Sequence, residues 1–144
     1  MPSNPQRNDI GPRTFVVTFP ARVDALPGPR HDFSGWLRAL GVEDDVADDL
    51  TVVFSELTTN AVHGSPHGAA TVNVRAACED GEVVLDVRNT TAADGYGARR
   101  WDLDDPLREG GRGLLIVQAL VDELDVRQAG GDLAVRCRCR VRAG

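Results

Sequence analysis

Lysine is missing altogether: all 16 basic side chains of this 144-residue chain are arginine. That absence excludes a Walker-type G-x-x-x-x-G-K-[ST] phosphate loop, the ATP site of a eukaryotic-type protein kinase and a Schiff-base mechanism, each of which needs an amine. Long apolar runs are lacking as well. No stretch approaches the roughly 20 residues of a membrane span, and "MPSNPQRNDIGPR" has no apolar centre of the kind a secretory signal needs, so a cytoplasmic location is expected. Positive charge is in deficit, 16 basic against 22 acidic residues for a formal −6, which argues against affinity drawn mainly from nucleic-acid phosphates. Cysteine is scarce: Cys78, Cys137 and Cys139 are the only three, and each falls in a segment of alternating period that reads first as core packing, with a C-x-C metal or redox site as the alternative. Cys137 and Cys139 sit i,i+2 in one strand, about 6.5 to 7 Å apart, which is near or beyond the reach of a disulfide.

What is present suffices for one domain, with 42% hydrophobic residues giving a chain of this length a real core. Residues 1–13 are polar and carry proline, the pattern of a disordered tail. "TFVVTFP" (14–20) reads as a strand. "FSGWLRALG" (33–41), after the breaker-rich "PGPRHD", reads as a short amphipathic helix. A longer helix is expected from Asp44 and Asp45, which suit its N-terminal dipole, to Gly64 before Pro66. "TVNVRAAC" and "EVVLDVRN" alternate around the turn "EDG" as a hairpin. A loop from Thr90 to Arg112 has the length of a functional lid. "GLLIVQAL" (113–120), apolar on nearly every side, predicts a buried helix, and "ELDVRQ" with "DLAVRCRCRVR" predicts a second hairpin about Gly130-Gly131. Mixed order and two hairpins point to an α+β fold, a two-layer sandwich with a mixed, mostly antiparallel sheet covered on one face by helices.

Two constellations carry chemistry. Along the helix that carries "SELTTNAVHGS", Val46, Leu50, Val53, Leu57 and Ala61 form a stripe, and at about 100° per residue Asn60 lies about 60° from its centre and Glu56 about 100° away on the same side. A buried amide and a half-buried carboxylate need partners, since leaving either unsatisfied costs a few kcal/mol. They serve either a structural hydrogen-bond network or a cleft in which Asn60 offers a neutral oxygen to Mg²⁺ and Glu56 orients or deprotonates a nucleophile. In "EGGRGLLIVQAL", Gly110, Gly111 and Gly113 precede a helix, which reads either as a plain flexible loop or as an anion site made by the helix's unpaired N–H groups, with Arg112 adding charge. His63 and His67 are i,i+4, yet Gly64 and Pro66 break the helix between them, so no metal pair is expected. Arg136, Arg138, Arg140 and Arg142 alternate with the cysteines on the opposite face of the last strand. They read as a solvated sheet face with Asp86 or Glu82 across the strand, or as a docking surface for an acidic partner.

"SELTTNAVHGS" resembles the N-box of the GHKL (Bergerat-fold) ATPases, and "GGRGLLIVQAL" resembles their second glycine box, over residues 14–142. Within that superfamily the chain resembles the anti-sigma factor serine/threonine kinases of bacterial partner-switching systems. The resemblance implies Glu56 as general base, Asn60 as Mg²⁺ ligand, and Gly111, Arg112, Gly113 and Leu114 about the triphosphate of ATP. It further implies a homodimer that sequesters a sigma factor and phosphorylates an anti-anti-sigma protein. The departure is at Asn89, where the family has the aspartate that accepts from the adenine amino group; the amide keeps an acceptor but loses the charge. Asp94 in "DGYG" has the wrong spacing to replace it. Hence the other reading, a nucleotide-impaired binding module that holds a sigma factor or other partner without phosphoryl transfer. A histidine-kinase catalytic domain is the third reading, and it is disfavoured because no phosphoacceptor helix or sensor accompanies the domain.

Overall fold

The computed structural model describes residues 9–10, 13–64, 70–90, 111–129 and 132–141. Its strands are β1 (Asp9–Ile10), β2 (Thr14–Pro20), β3 (Thr71–Glu79), β4 (Glu82–Thr90), β5 (Glu123–Ala129) and β6 (Asp132–Arg140). They form one six-stranded sheet in the order β1-β2-β3-β4-β6-β5, and every pairing between them is antiparallel. The helices α1 (Pro27–Ala39), α2 (Asp44–His63) and α3 (Gly111–Leu120) cover one face. The α+β sandwich expected from the sequence is thus observed, with its described strands antiparallel throughout.

Period-two alternation builds the sheet. On the covered face, rows across the strands read Cys78, Val83, Cys139; then Phe15, Ala76, Leu85, Cys137; then Val17, Val74, Val87, Val135; then Phe19, Val72, Asn89. All of these side chains are buried, and Asn89 is the one polar amide among them. Against them α1 and α2 lay an aromatic cluster: Phe33 stacks on Phe54 at 4.6 Å and meets Phe15 edge-on at 5.5 Å. Such pairs add about 0.5–1.5 kcal/mol beyond their buried area. The β3–β4 turn works because Asp80 (φ 52°) and Gly81 (φ 75°) both take left-handed backbone, as a tight two-residue hairpin requires.

Three differences from the sequence reading have physical reasons. α1 begins at Pro27, earlier than expected, because proline at N1 or N2 gives up only N–H groups that have no intrahelical partner anyway. Asp9 and Ile10, inside the stretch expected to be a disordered tail, pair with Val16 and Phe15 at the sheet edge; residues 1–8 and 11–12 lie outside the described residues. α3 is not buried all round: Leu114 and Val117 are buried, but Leu115 and Ile116 are 42% and 43% exposed, because α3 leans one side on α2 and β5 and turns the other outward. The three cysteines are free and buried, as the alternation implied.

Candidate functional site

The two ends of the helix layer can be told apart by what touches them. Asp122, just beyond α3, bonds through its backbone N–H to the carbonyl of Arg138, and the Cys139 thiol reaches the carbonyl of Leu120. α3 therefore ends beside the Cys78–Val83–Cys139 row, and its ten residues, about 15 Å at 1.5 Å each, run back toward the row of Asn89. Asp49, in the first half of α2, acts on the Cys139 thiol, so α2 starts at that same end. Its C-terminal turn, with Asn60, lies toward the other end, where β3 enters the sheet at Thr71 and Val72 faces Asn89. The last turn of α2, the end of β4 and the start of α3 are in this way gathered at one end of the domain.

Within that arrangement Asn60 is 9% exposed and Asn89 4%. Each takes part in further polar or electrostatic contacts. Glu56, one turn before Asn60, is half-buried, and no hydrogen bond or ion pair of its side chain is present among the described residues. Thr58 is buried, but its hydroxyl donates to the Phe54 carbonyl at 2.8 Å, which ties it to the helix. Gly111, Arg112, Gly113 and Leu114 open α3 and supply the four N–H groups that a helix start leaves without intrahelical partners. The side chain of Leu114 is buried in the core, so only its backbone is available to a ligand. Sequence reasoning passed over Val72, buried and paired with Asn89; the alternation of "TVNV" was the signal for it. Of the loop expected over 90–112, Thr90 instead ends β4 and Gly111 and Arg112 open α3, two residues before the expected helix start; residues 91–110, with Asp94 and Gly110, and His67 lie outside the described residues.

The donor set suits a nucleotide. A buried amide on β4 among apolar side chains can read a base edge, a helix start can hold phosphate oxygens, and an amide oxygen on α2 can complete the shell of a hard cation. Among the described residues no group of three or more His, Cys, Asp or Glu side chains is placed to hold a metal, so a cation here would take most of its charge compensation from phosphates.

The family profile described as the histidine kinase-like ATPase domain matches residues 19–138. This chain belongs to that family. Among curated proteins, the serine-protein kinase RsbW of Halalkalibacterium halodurans is 23% identical over 128 residues, covering 83% of this chain and 79% of that protein. Two solved structures share the family fold. One holds the RsbU and RsbW domains of a Mycobacterium tuberculosis protein, with a TM-score of 0.64 at 20% identity over 89% of this chain; this chain spans 32% of that one. The other is the SiaB–SiaC complex of Pseudomonas aeruginosa, with a TM-score of 0.59 at 19% identity, covering 95% of this chain and 92% of that chain.

Proposed function

We propose that this member of the family is an ATP-dependent protein serine/threonine kinase of the partner-switching type, which sequesters a sigma factor and phosphorylates an anti-anti-sigma protein. The observation that carries it is Glu56: a half-buried carboxylate without an ion pair among the described residues, one turn from the buried Asn60. Such a carboxylate is left available to take a proton from a bound partner. The likeness to a serine-protein kinase and to a protein solved in complex with a partner supports the reading, and homodimerisation in the cytoplasm belongs to it.

Each residue has a task. Asn89 presents its amide to the base, Asn60 offers its carbonyl oxygen to the cation, and the N–H groups of Gly111 to Leu114 hold phosphate oxygens, with Arg112 adding charge. Mg·ATP, when bound, supplies the transferable phosphoryl group and neutralises charge on it. Glu56 takes the proton of the partner's serine or threonine hydroxyl at a carboxylate oxygen, and the rest of catalysis is positioning. Glu56→Ala is expected to lower transfer to an antagonist protein by about 10²- to 10⁴-fold while calorimetry still registers ATP binding; transfer that survives the change refutes the role.

Asn89 favours a second reading, in which the fold holds a partner but binds nucleotide weakly. Calorimetric titration with ATP and ADP, with and without Mg²⁺, separates the two. Micromolar, Mg²⁺-dependent binding supports the kinase, and absence of binding that returns in Asn89→Asp supports the holding module.

A further inference from the structure

The sheet face opposite the described helices is charged in an uneven way. Its central row reads Val16, Arg75, Asp86, Arg136, Asp125 across β2, β3, β4, β6 and β5, and the next row reads Thr18, Asn73, Arg88, Ala134, Arg127. Arg136 donates from Nε and Nη2 to one oxygen of Asp86 at 3.0 and 2.7 Å, and Arg127 takes Asp125 at 2.7 Å. Both acids of these two rows are thereby engaged. Arg75 and Arg88 are exposed and form no ion pair among the described residues. They stand with Arg136 over a groove of about 470 Å³ whose floor includes Val16, Thr18 and Asn73.

From this placement we infer that the open sheet face is a docking surface for an extended acidic segment of a partner protein, with Arg75 and Arg88 each receiving a carboxylate. Arg75 and Arg88 are diagonal neighbours on paired strands, about 7–8 Å apart. Carboxylates at i and i+2 of an extended peptide are spaced at about 6.5–7 Å, so a Glu-x-Glu pattern matches the pair. Guanidinium groups bind carboxylates through two parallel N–H bonds. The charge is segregated: the chain carries a net −6, and Glu43, Asp44, Asp45, Asp48 and Asp49 are set at the start of α2 in the opposite layer. A partner acidic over its whole surface is repelled by that layer, whereas a local acidic segment is drawn to the face within a Debye length of about 8 Å. Nucleic acid suits it less, because its phosphates continue past the groove over an acidic molecule.

The test is fluorescence anisotropy of a labelled peptide of alternating Glu and Ser against the full chain at low and physiological salt. Binding is expected to weaken at least about tenfold in Arg75→Glu/Arg88→Glu. Arg22→Glu/Arg30→Glu, exposed sites off this face with the same change in net charge, is expected to stay within about threefold. Should the double reversal not fold, Arg75→Gln and Arg88→Gln singly are expected to weaken binding about threefold each. The inference is overturned if the native chain does not bind the peptide, if both charge reversals weaken it equally, or if a single-stranded oligonucleotide displaces the peptide with equal affinity. It is also overturned if sedimentation shows a dimer that Arg75→Glu/Arg88→Glu dissociates while peptide binding is unchanged, which makes a second copy the occupant. Nucleotide titration of the same variants is expected to be unchanged, so this result is independent of the kinase reading.

Discussion

The two ends of the covered sheet face differ in one respect that matters. At one end the row is Cys78, Val83 and Cys139, closed by the Asp80–Gly81 turn, the start of α2 and the last turn of α3. At the other the row is Phe19, Val72 and Asn89, with Asn60 on the last turns of α2. Both rows cross β3 and β4 and are buried; among the residues named, only the second end contains amides. An amide in a dry core needs polar partners that an aliphatic side chain does not, so the second end carries a polar requirement that the first lacks. The contrast separates the part of the molecule that holds the fold from the part that the proposed site uses.

The harshest way to break the comparison is to empty the aromatic cluster that both ends lean on. Phe54→Ala removes a ring stacked on Phe33 and in edge contact with Phe15, and is expected to cost about 3–5 kcal/mol in urea unfolding. Glu56→Gln, two positions along the same helix, is expected to change stability by only about 0.5 kcal/mol. A loss at Phe54 no larger than that at Glu56 would mean that the cluster is not the core.

Most of this division was legible beforehand. Alternation gave the strands because a half-buried sheet has a side-chain period of two, and the stripe from Leu50 to Ala61 gave α2 and the burial of Asn60. α3 was misread because "GLLIVQAL" is apolar on nearly every side, and a sequence does not reveal which flank of a helix its neighbours leave open; here Leu115 and Ile116 are that flank. The start of α1 was missed because proline breaks a helix interior but opens a first turn. The gathering of Asn60, Asn89 and the start of α3 at one end rests on long-range pairing, which no local pattern contains. The excess of positive charge at Arg75 and Arg88 depends on which acids the register leaves for them, and that too is a property of the folded sheet.

Alkaline unfolding sharpens the apolar end. Burial, with Cys139 adding to it, pushes the Cys137 thiol up to about 12, and burial raises Cys139 as well. In the unfolded chain these thiols ionise near their ordinary value of about 8.5. Between the two values the unfolded state has fewer protons bound than the folded one, so the stability from the neutral thiols is full below about pH 8.5 and is lost as pH rises toward 12. With no lysine and a single tyrosine, few other groups titrate there. The native chain is expected to lose on the order of 3 kcal/mol between pH 8 and pH 11, and Cys137→Ala to flatten most of that slope; an unchanged slope would place the titration elsewhere.

The finest test acts on the polar end. Asn89→Asp puts a carboxyl where an amide is 4% exposed, and without a ligand burial opposes its ionisation. The raised carboxyl pKa makes its stability contribution complete at acid pH and lost as pH rises through the folded value. The free variant is therefore expected to be about 1–2 kcal/mol less stable than the native chain at pH 7.5, with the gap narrowing on acidification. With an adenine nucleotide the sign reverses: the carboxylate accepts from the amino group with charge assistance, and affinity is expected to rise about tenfold. A thermal shift titration at two pH values reads both effects on one sample. A variant that loses stability without gaining affinity would make Asn89 part of the packing and move the base elsewhere. A gain in affinity together with that loss would mean that the two ends of the sheet differ because one of them binds a nucleotide.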